Sequence, residues 1–354
     1  MSNIPTTHQA AAITGKGEPL ALITRPTPTP GPGEVLVQVR ALAFNPVDIG
    51  QRDLGLFIQG FPAVSGSDVA GIIAATGPGV TTVQPGDRVA AFASSFFAQG
   101  NPDYGATQEY VIALETVITP LPSSWSFVEG SVLPMATFVA WNAWAFAGVP
   151  RVLTAKPSGE GVLVWGAGSS MGAFGVQVAA LMGYTVYATA SVRHHEYIKE
   201  LGAARVFDYK SKDILEQIVA KAKEDGVAIR KGFHAAGSKL TGAEGSQQLG
   251  IDVMAALKGG EGVSKYGIAP VVDQELKVPE GVETTFLTGP QDLQERNEWT
   301  RWVYGTWLKE NIATEGRIVA SPNIKVVEGG LAAADKAMNE LKAGVSATKL
   351  VIEL

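Results

Sequence analysis

The sequence predicts a two-domain α/β chain: a compact β barrel of short strands, followed by a parallel sheet covered by helices on both faces. Three observations predict it. The chain has 354 residues, about twice a typical domain of roughly 100–200 residues. Its first third carries short alternating strands punctuated by Pro and Gly. After Gly161 the strand pattern and the helix pattern alternate, which is how a chain writes a parallel sheet.

The strands of the first third come in order. Pro26 to Gly33 is a dense turn, and Glu34 to Arg40 then alternates, with Val35, Val37 and Val39 on one face. Further strands are expected at Asp68 to Thr76, with Gly71 inside it, at Arg88 to Phe92 after Gly86-Asp87, and at Gln108 to Ala113. Strands this short and this evenly spaced suggest a barrel. Ser126 with Glu129 three residues on reads as a capping box ahead of an apolar helical run to Gly148. Beyond it the expected order is strand Val162 to Trp165, helix Gly172 to Met182, strand Thr185 to Ala190, helix His195 to Leu201, strand Arg205 to Phe207 and helix Ile214 to Lys223. Near the end, Asn297 to Lys309 and Leu331 to Ala343 read as helices and Lys349 to Leu354 as a closing strand.

Composition excludes several functions. At 46% hydrophobic and 18% charged the chain can bury a large core. A net charge of −6 with no dense Lys/Arg stripe argues against nucleic acid as a partner, since phosphate neutralisation needs clustered cations. The absence of cysteine excludes disulfides, thiolate nucleophiles and Cys-containing zinc sites. The start of the chain has no secretory pattern, and the apolar run Val132 to Val149 is interrupted by Pro134, Asn142 and Gly148. A cytoplasmic protein with no membrane partner is expected.

The string with chemical content is Val162-Leu163-Val164-Trp165-Gly166-Ala167-Gly168-Ser169-Ser170-Met171-Gly172. A buried strand runs into a Gly-rich turn and then a helix. Such a turn lets backbone N–H groups and the positive end of the helix meet a pyrophosphate, with Ser169 and Ser170 adding hydroxyls. The Gly-x-Gly-x-x-x-Gly spacing is one residue longer than the usual fingerprint, so the motif alone is also compatible with a plain turn. The following strand ends at Ser191-Val192-Arg193-His194-His195. An NAD site would carry an acid there for the ribose 2′-hydroxyl. A hydroxyl, a guanidinium and two imidazoles suit a 2′-phosphate instead, so NADPH is the expected cofactor. The other reading of this corner is a solvated basic turn.

Together with Pro32-Gly33-Glu34-Val35-Leu36-Val37, Asn45-Pro46-Val47-Asp48, Gly66-Ser67-Asp68-Val69-Ala70-Gly71, Gly86-Asp87-Arg88-Val89 and Thr348-Lys349-Leu350-Val351-Ile352, this turn makes the chain resemble the medium-chain dehydrogenase/reductase superfamily over nearly its whole length. Within it, the chain is similar to the zinc-free quinone oxidoreductase and enoyl reductase branch, especially to fungal trans-acting enoyl reductases and to proteins labelled zinc-binding oxidoreductases. The zinc enzymes of the superfamily carry Cys near position 47 and Gly-His-Glu near 66–68, where this chain has Val47 and Gly66-Ser67-Asp68. No metal site is therefore expected.

The resemblance implies a GroES-like β-barrel domain over 1–126, completed by 295–354, and a Rossmann-type doubly wound parallel sheet over 127–294, with the active site where they meet. It implies that Gly166, Gly168, Ser169, Ser170, Met171 and Gly172 face the pyrophosphate, that Ser191, Arg193 and His194 face the 2′-phosphate, and that Tyr209 packs on the adenine. Thr137 would lie near the nicotinamide ribose, and Asn45 and Asp48 at the floor of the site. One departure stands out: His234 occupies a position where the family commonly has Asp.

Without a metal, alcohol oxidation lacks its Lewis acid. Hydride addition to a conjugated C=C needs less, because the developing charge spreads onto an oxygen that a few donors stabilise. The expected activity is NADPH-dependent, zinc-independent reduction of an activated C=C, in an enone or enoyl thioester, with fungal secondary metabolism as one setting. Quinone reduction is the alternative within enzymes, and a non-catalytic NADPH-binding sensor or synthase subunit the alternative outside them. The expected partners are a small-molecule substrate with an activated double bond or a quinone, a homodimer mate if the chain is not a monomer, and a synthase as a further option. Tyr104 in the loop Asn101 to Gly105 is a candidate proton donor, or else a packing tyrosine. Asn45 is a candidate for orienting substrate or ribose, or else a turn residue before Pro46. Trp299, Trp302 and Trp307 fit a packed helix face or a substrate tunnel, and His234 a satisfied strand-end histidine or a general acid.

Overall fold

The computed structural model describes residues 4–93, 95–237, 245–257, 262–269 and 271–354. The chain opens with strands β1 (Thr7–Ala12), β2 (Ala21–Pro26) and β3 (Glu34–Ala43), then helix α1 (Pro46–Leu54), β4 (Asp68–Thr76), β5 (Arg88–Phe92), β6 (Tyr110–Leu114), β7 (Ile118–Pro120), α2 (Phe127–Ser131) and α3 (Pro134–Phe146). The alternating section follows: β8 (Glu160–Trp165), α4 (Ser170–Leu181), β9 (Thr185–Ala190), α5 (His195–Glu200), β10 (Ala203–Asp208), α6 (Ile214–Glu224), β11 (Ala228–His234), α7 (Ser246–Leu257), β12 (Ser264–Ile268) and β13 (Val282–Phe286). The chain closes with α8 (Leu293–Trp302), α9 (Lys309–Ala313), β14 (Asn323–Val326), α10 (Ala334–Ala343) and β15 (Thr348–Glu353). It divides into two units, Met1–Met135 with Asn297–Gly316 and Asn323–Leu354, and Ala136–Arg296 with Arg317–Pro322.

In the first unit β3 organises the sheet. One edge pairs with β4 along its length, while the other gives Glu34 to Gln38 to β6 and Ala41 to Ala43 to β15. Register shifts between Leu36 and Val37 and between Val39 and Ala41 bend the strand enough to serve both partners. A Cβ on Gly71 of β4 would stand 2.1 Å from the Gln38 carbonyl oxygen, so this close approach requires glycine. Val35, Val37 and Val39 are buried as the alternation predicts.

Several elements here are not signalled by residue type. The hairpin β1–β2 begins with Thr-His-Gln-Ala-Ala-Ala, which has little intrinsic strand preference. It is held by six paired positions and by packing of Ala10, Ala12 and Val64. The helical run expected after Ser126 is two helices, because Pro134 cannot continue α2 but starts α3. Ser126 and Glu129 do form the expected capping box. The helix expected at 297–309 passes through a π-helical turn, Val303–Leu308. Trp299 and Trp307 are fully buried, with Trp299 and Trp302 stacked at 6.0 Å, which is the core-packing reading of the tryptophans.

The second unit is a six-stranded sheet in the order β10-β9-β8-β11-β12-β13, with every pair parallel. The chain leaves β8 in one direction for β9 and β10, then returns beside β8 and runs the other way through β11, β12 and β13. The order reverses between β8 and β11, and a crevice at the carboxyl ends of such strands is where this architecture holds ligands. Among the described residues no helix is long and apolar enough to cross a membrane.

Candidate functional site

The turn after β8 is built around its glycines. Gly166 has φ +85, and a Cβ on it would meet the Ala236 nitrogen at 2.7 Å. A Cβ on Gly172 would stand 2.3 Å from the Gly166 carbonyl oxygen. Around Gly168 there is open space: a Cβ there would meet nothing within 4 Å. The outer two glycines thus let the turn close on itself, and the middle one leaves a backbone surface bare. The closed turn is tied to β9 by Gly166 N–H donating to Thr189 Oγ1 (3.0 Å) and Ala167 N–H to the Thr189 carbonyl (2.8 Å).

Ser169 and Ser170 divide their work. Ser169 is the N-cap of α4: its Oγ accepts from Gly172 N–H (3.0 Å) and donates to the Gly166 carbonyl (2.9 Å). Its hydroxyl is spent inside the turn. Ser170 Oγ is buried and has no partner among the described residues. The helical ladder of α4 begins with Ala173 N–H on the Ser169 carbonyl, so the first-turn N–H groups of Ser170 and Met171 precede it. These donors and the positive end of α4 suit an anion.

The parallel pairing of β8, β9 and β10 sets the remaining residues beside this turn, since adjacent strands lie about 4.8 Å apart. Ser191 follows β9, and Arg193 and His194 lie in one turn of 3-10 helix, Val192–His194. Ser191 Oγ is 3.5 Å from the Tyr209 hydroxyl just beyond β10. Arg193 is exposed and its Nε donates to His194 Nε2 (3.2 Å). Burial and the Arg193 charge lower the His194 pKa below its usual value, which keeps that nitrogen an acceptor. His195 points elsewhere, with Nε2 3.2 Å from the Ala190 carbonyl. Asp208 is the acid nearest in sequence to Tyr209, and its Oδ1 accepts the Lys210 N–H (3.1 Å) in its own turn.

His234 ends β11 next to Trp165 and is fully buried. Its Nδ1 is 2.9 Å from the Tyr266 hydroxyl and its Nε2 3.2 Å from the Gly237 carbonyl. Burial pulls its pKa down to about 4, against a smaller upward effect of the Gly237 hydrogen bond. A neutral imidazole with Nε2–H donating and Nδ1 accepting satisfies both contacts, so His234 is the satisfied strand-end histidine.

The first unit contains a buried polar cluster at the end of β3. Asn45 is the N-cap of α1, and its N–H donates to Asp48 Oδ2 (2.7 Å). Its side-chain Nδ2 donates to Asp68 Oδ2 (2.8 Å), and its Oδ1 accepts from Lys349 Nζ (2.5 Å). Lys349 also donates to Asp68 Oδ2 (3.0 Å), and Met135 N–H donates to Asp68 Oδ1 (2.6 Å). Beside them Tyr304 donates to the Pro134 carbonyl (2.8 Å), its hydroxyl pushed well above the usual phenol range by burial and then by the Asp68 charge. Asp48 is fully buried; burial raises its pKa to about 7, the Asn45 hydrogen bond opposes this, and Asp68 adds to it. Lys349 was not among the expected site residues. Its only signal is a lone cation inside the apolar strand Thr348–Glu353, which demands a buried counter-charge.

The structure separates two expected site residues. Tyr104 lies in the 3-10 turn Pro102–Tyr104, and its hydroxyl donates to Glu34 Oε1 (2.6 Å). Glu34 starts β3 and Asn45 lies just past its end, so about 30 Å of strand runs between them at roughly 3.3 Å per residue. Tyr104 packs on Leu36, Tyr110 and Ile112, and burial with the Glu34 hydrogen bond pushes its pKa up to about 12. Its hydroxyl is engaged by Glu34, at the opposite end of β3 from Asn45. Thr137 is fully buried in α3, two residues after Met135.

The comparisons with known proteins agree with this geometry. Residues 31–123 match the alcohol dehydrogenase GroES-like domain, and residues 170–296 match the zinc-binding dehydrogenase family. The trans-enoyl reductase tndF of Aspergillus flavipes is 43% identical over 98% of this chain and 99% of its own length. The chain belongs to the medium-chain dehydrogenase/reductase superfamily, in its fungal enoyl reductase branch. As a member it is an oxidoreductase with a GroES-like domain and a Rossmann-type domain, and the superfamily's cofactors are nicotinamide dinucleotides. The dehydrogenase azaJ of Aspergillus niger is 33% identical over 98% of this chain and 99% of its own length. Among solved structures, an alcohol dehydrogenase superfamily protein from Novosphingobium aromaticivorans superimposes with a TM-score of 0.77 at 21% identity, covering 98% of this chain and 99% of that one. CurK enoyl reductase does so with 0.71 at 20% identity, covering 99% of each chain. Both show the shared medium-chain fold.

Proposed function

We propose that this reductase uses NADPH to reduce an activated C=C, in an enone or enoyl thioester, without a metal. The observation that carries the cofactor is the corner at the ends of β9 and β10, where the Ser191 hydroxyl lies 3.5 Å from the Tyr209 hydroxyl and the exposed Arg193, bonded to His194, follows two residues on. Arg and Ser suit a 2′-phosphate, and the Tyr209 face suits an adenine. The residues that follow β9, Ser191, Val192, Arg193, His194 and His195, include no carboxylate to accept the ribose hydroxyl as an NAD site would. The bare Gly168 backbone, the orphan Ser170 Oγ and the first-turn N–H groups of α4 fit the pyrophosphate.

The bound dinucleotide would supply a hydride at its nicotinamide. The chain's own residues position, stabilise and exclude. The metal-free reading is supported by Asp68: its oxygens already accept from Met135, Asn45 and Lys349, leaving it a poor ligand where zinc relatives place Glu. The relatives named trans-enoyl reductases support the C=C acceptor. Conjugation moves the developing charge onto the carbonyl oxygen, so the protein needs donors, not a strong Lewis acid.

The test is NADPH oxidation with an enone, an enoyl thioester and a quinone, using chelator-treated protein. Turnover on the enone and thioester with saturated products supports the reading. Turnover on the quinone alone, or dependence on added zinc, overturns it.

A further inference from the structure

Residues 317–322 belong to the second unit, although the chain on either side of them, Asn297–Gly316 and Asn323–Leu354, belongs to the first. The approach is exposed from Ala313 to Arg317; burial begins at Ile318 and returns at Ser321 and Pro322. The segment is a strap laid on the second unit, and its main anchor is a single side chain. Gln177 is the one polar side chain of α4 beyond Ser170, and it is buried. Its Oε1 accepts from Val319 N–H (2.9 Å), and its Nε2 donates to the Val319 carbonyl (3.2 Å) and to Ser321 Oγ (2.9 Å). The amide thus serves both backbone groups of Val319, as a neighbouring strand would. A second helix takes part. Burial raises the Tyr197 hydroxyl of α5 to about 12, and Ser321 beside it opposes the rise.

These anchors lie on the two helices that lead away from the proposed cofactor site. Helix α4 starts within the Gly166–Gly172 turn, and Gln177 follows Ser170 by about two helical turns on the same stripe. Helix α5 starts directly after the Ser191–His194 corner, and Tyr197 lies in its first turn. A dinucleotide held by the turn and the corner fixes the starts of α4 and α5 relative to each other. The strap fixes the same two helices further along. Two bridges across one pair of helices select one arrangement of that pair.

We propose that the strap and the dinucleotide bind cooperatively: the cofactor tightens the strap on Gln177, and the docked strap tightens the cofactor. Gln177, Tyr197 and Ser321 are positioning residues, acting through α4 and α5 without touching the ligand. The proposal rests on the siting of the pyrophosphate at the Gly168 turn. Docking depends on a few hydrogen bonds and on the burial of Ile318, so the strap can open locally while the sheet stays folded. Linkage makes the coupling factor the same in both directions, and coupling between two sites is typically about fivefold or more.

Hydrogen exchange read by mass spectrometry, with and without saturating NADPH, tests the strap directly. The peptide containing Val319, whose N–H donates to Gln177, is expected to exchange about fivefold or more slowly with NADPH bound. Gln177→Leu removes the anchor. Its NADPH dissociation constant, measured by calorimetry, rises by the same factor, and NADPH no longer slows exchange in residues 317–322. Wild-type exchange in β8 and β9 reports that the variant is folded. Ser321→Ala keeps both Val319 contacts and carries the same test at smaller amplitude. Adenosine 2′-phosphate, which fills the corner and does not reach the turn, leaves the strap exchanging as in the free protein. NADPH that slows exchange in the Gly166–Gly172 turn and not in the strap overturns the proposal, as does a wild-type dissociation constant in Gln177→Leu. NADPH that slows exchange in neither overturns the siting of the pyrophosphate as well.

Discussion

Lys349 Nζ lies 3.0 Å from Asp68 Oδ2, with both side chains buried and the two residues 281 positions apart in the chain. The pair sits at the end of β3, bridged by Asn45 and capped by the Met135 N–H. A buried pair adds little over well-packed apolar residues, but removing one partner leaves the other charge stranded, at a cost of about 3–5 kcal/mol. Lys349→Met is therefore expected to destabilise the first unit by about that amount. The measurement is a urea titration followed through Trp299 and Trp307 fluorescence, and an unchanged midpoint contradicts the pairing.

Asp48 gives the stability of the same unit a pH dependence of fixed sign. Its folded pKa is raised to about 7 from the usual carboxylate value, first by burial. Between about pH 4 and pH 7 the unfolded chain loses the Asp48 proton and the folded chain keeps it. Stability from this group is complete below the unfolded pKa and is lost as pH rises to about 7, where the loss levels off. Asp48→Asn keeps an acceptor for the Asn45 N–H and removes the titration. The wild type minus variant difference in unfolding free energy is expected to fall between pH 4.5 and pH 7.5. A flat difference contradicts the assignment.

How much of this was legible beforehand depends on the range of the interaction. The strands Asp68–Thr76, Arg88–Phe92 and Thr185–Ala190 are readable because side-chain alternation or an apolar run with flanking turns is a local signal. The Gly166–Gly172 turn is readable because strand, glycines and helix are contiguous. The β1–β2 hairpin is not, because its Ala-rich first strand is stabilised by its partner and not by its residue types. Neither is the use of Asn45: its sequence neighbours mark a helix start, and only the fold brings Asp68 and Lys349 to its amide. The setting of Tyr104 is not readable for the same reason, since the Glu34 carboxylate that takes its hydroxyl lies 70 residues away.

Gly168 and Gly172 separate ligand space from protein space in the same turn. Gly172→Ala forces a methyl to 2.3 Å of the Gly166 carbonyl, so it damages the turn itself and lowers the melting temperature. Gly168→Ala meets no protein atom within 4 Å, so the apoprotein melts within about 2 °C of wild type. If the pyrophosphate lies against that surface, the same methyl weakens NADPH binding about tenfold or more, roughly 1.4 kcal/mol. Calorimetric titration of both variants checks this. NADPH binding by Gly168→Ala as tight as wild type removes the pyrophosphate from this turn.

The central claim is that the corner after β9 and β10 reads the 2′-phosphate, and it is tested most directly by the ratio of kcat/KM with NADPH to kcat/KM with NADH. The wild type is expected to favour NADPH. Arg193→Ala loses a charge-assisted contact of about 1.5–3 kcal/mol, so its ratio falls by about 10- to 100-fold, with kcat/KM for NADH nearly unchanged. A wild type that prefers NADH, or a ratio that Arg193→Ala leaves where it was, contradicts the account.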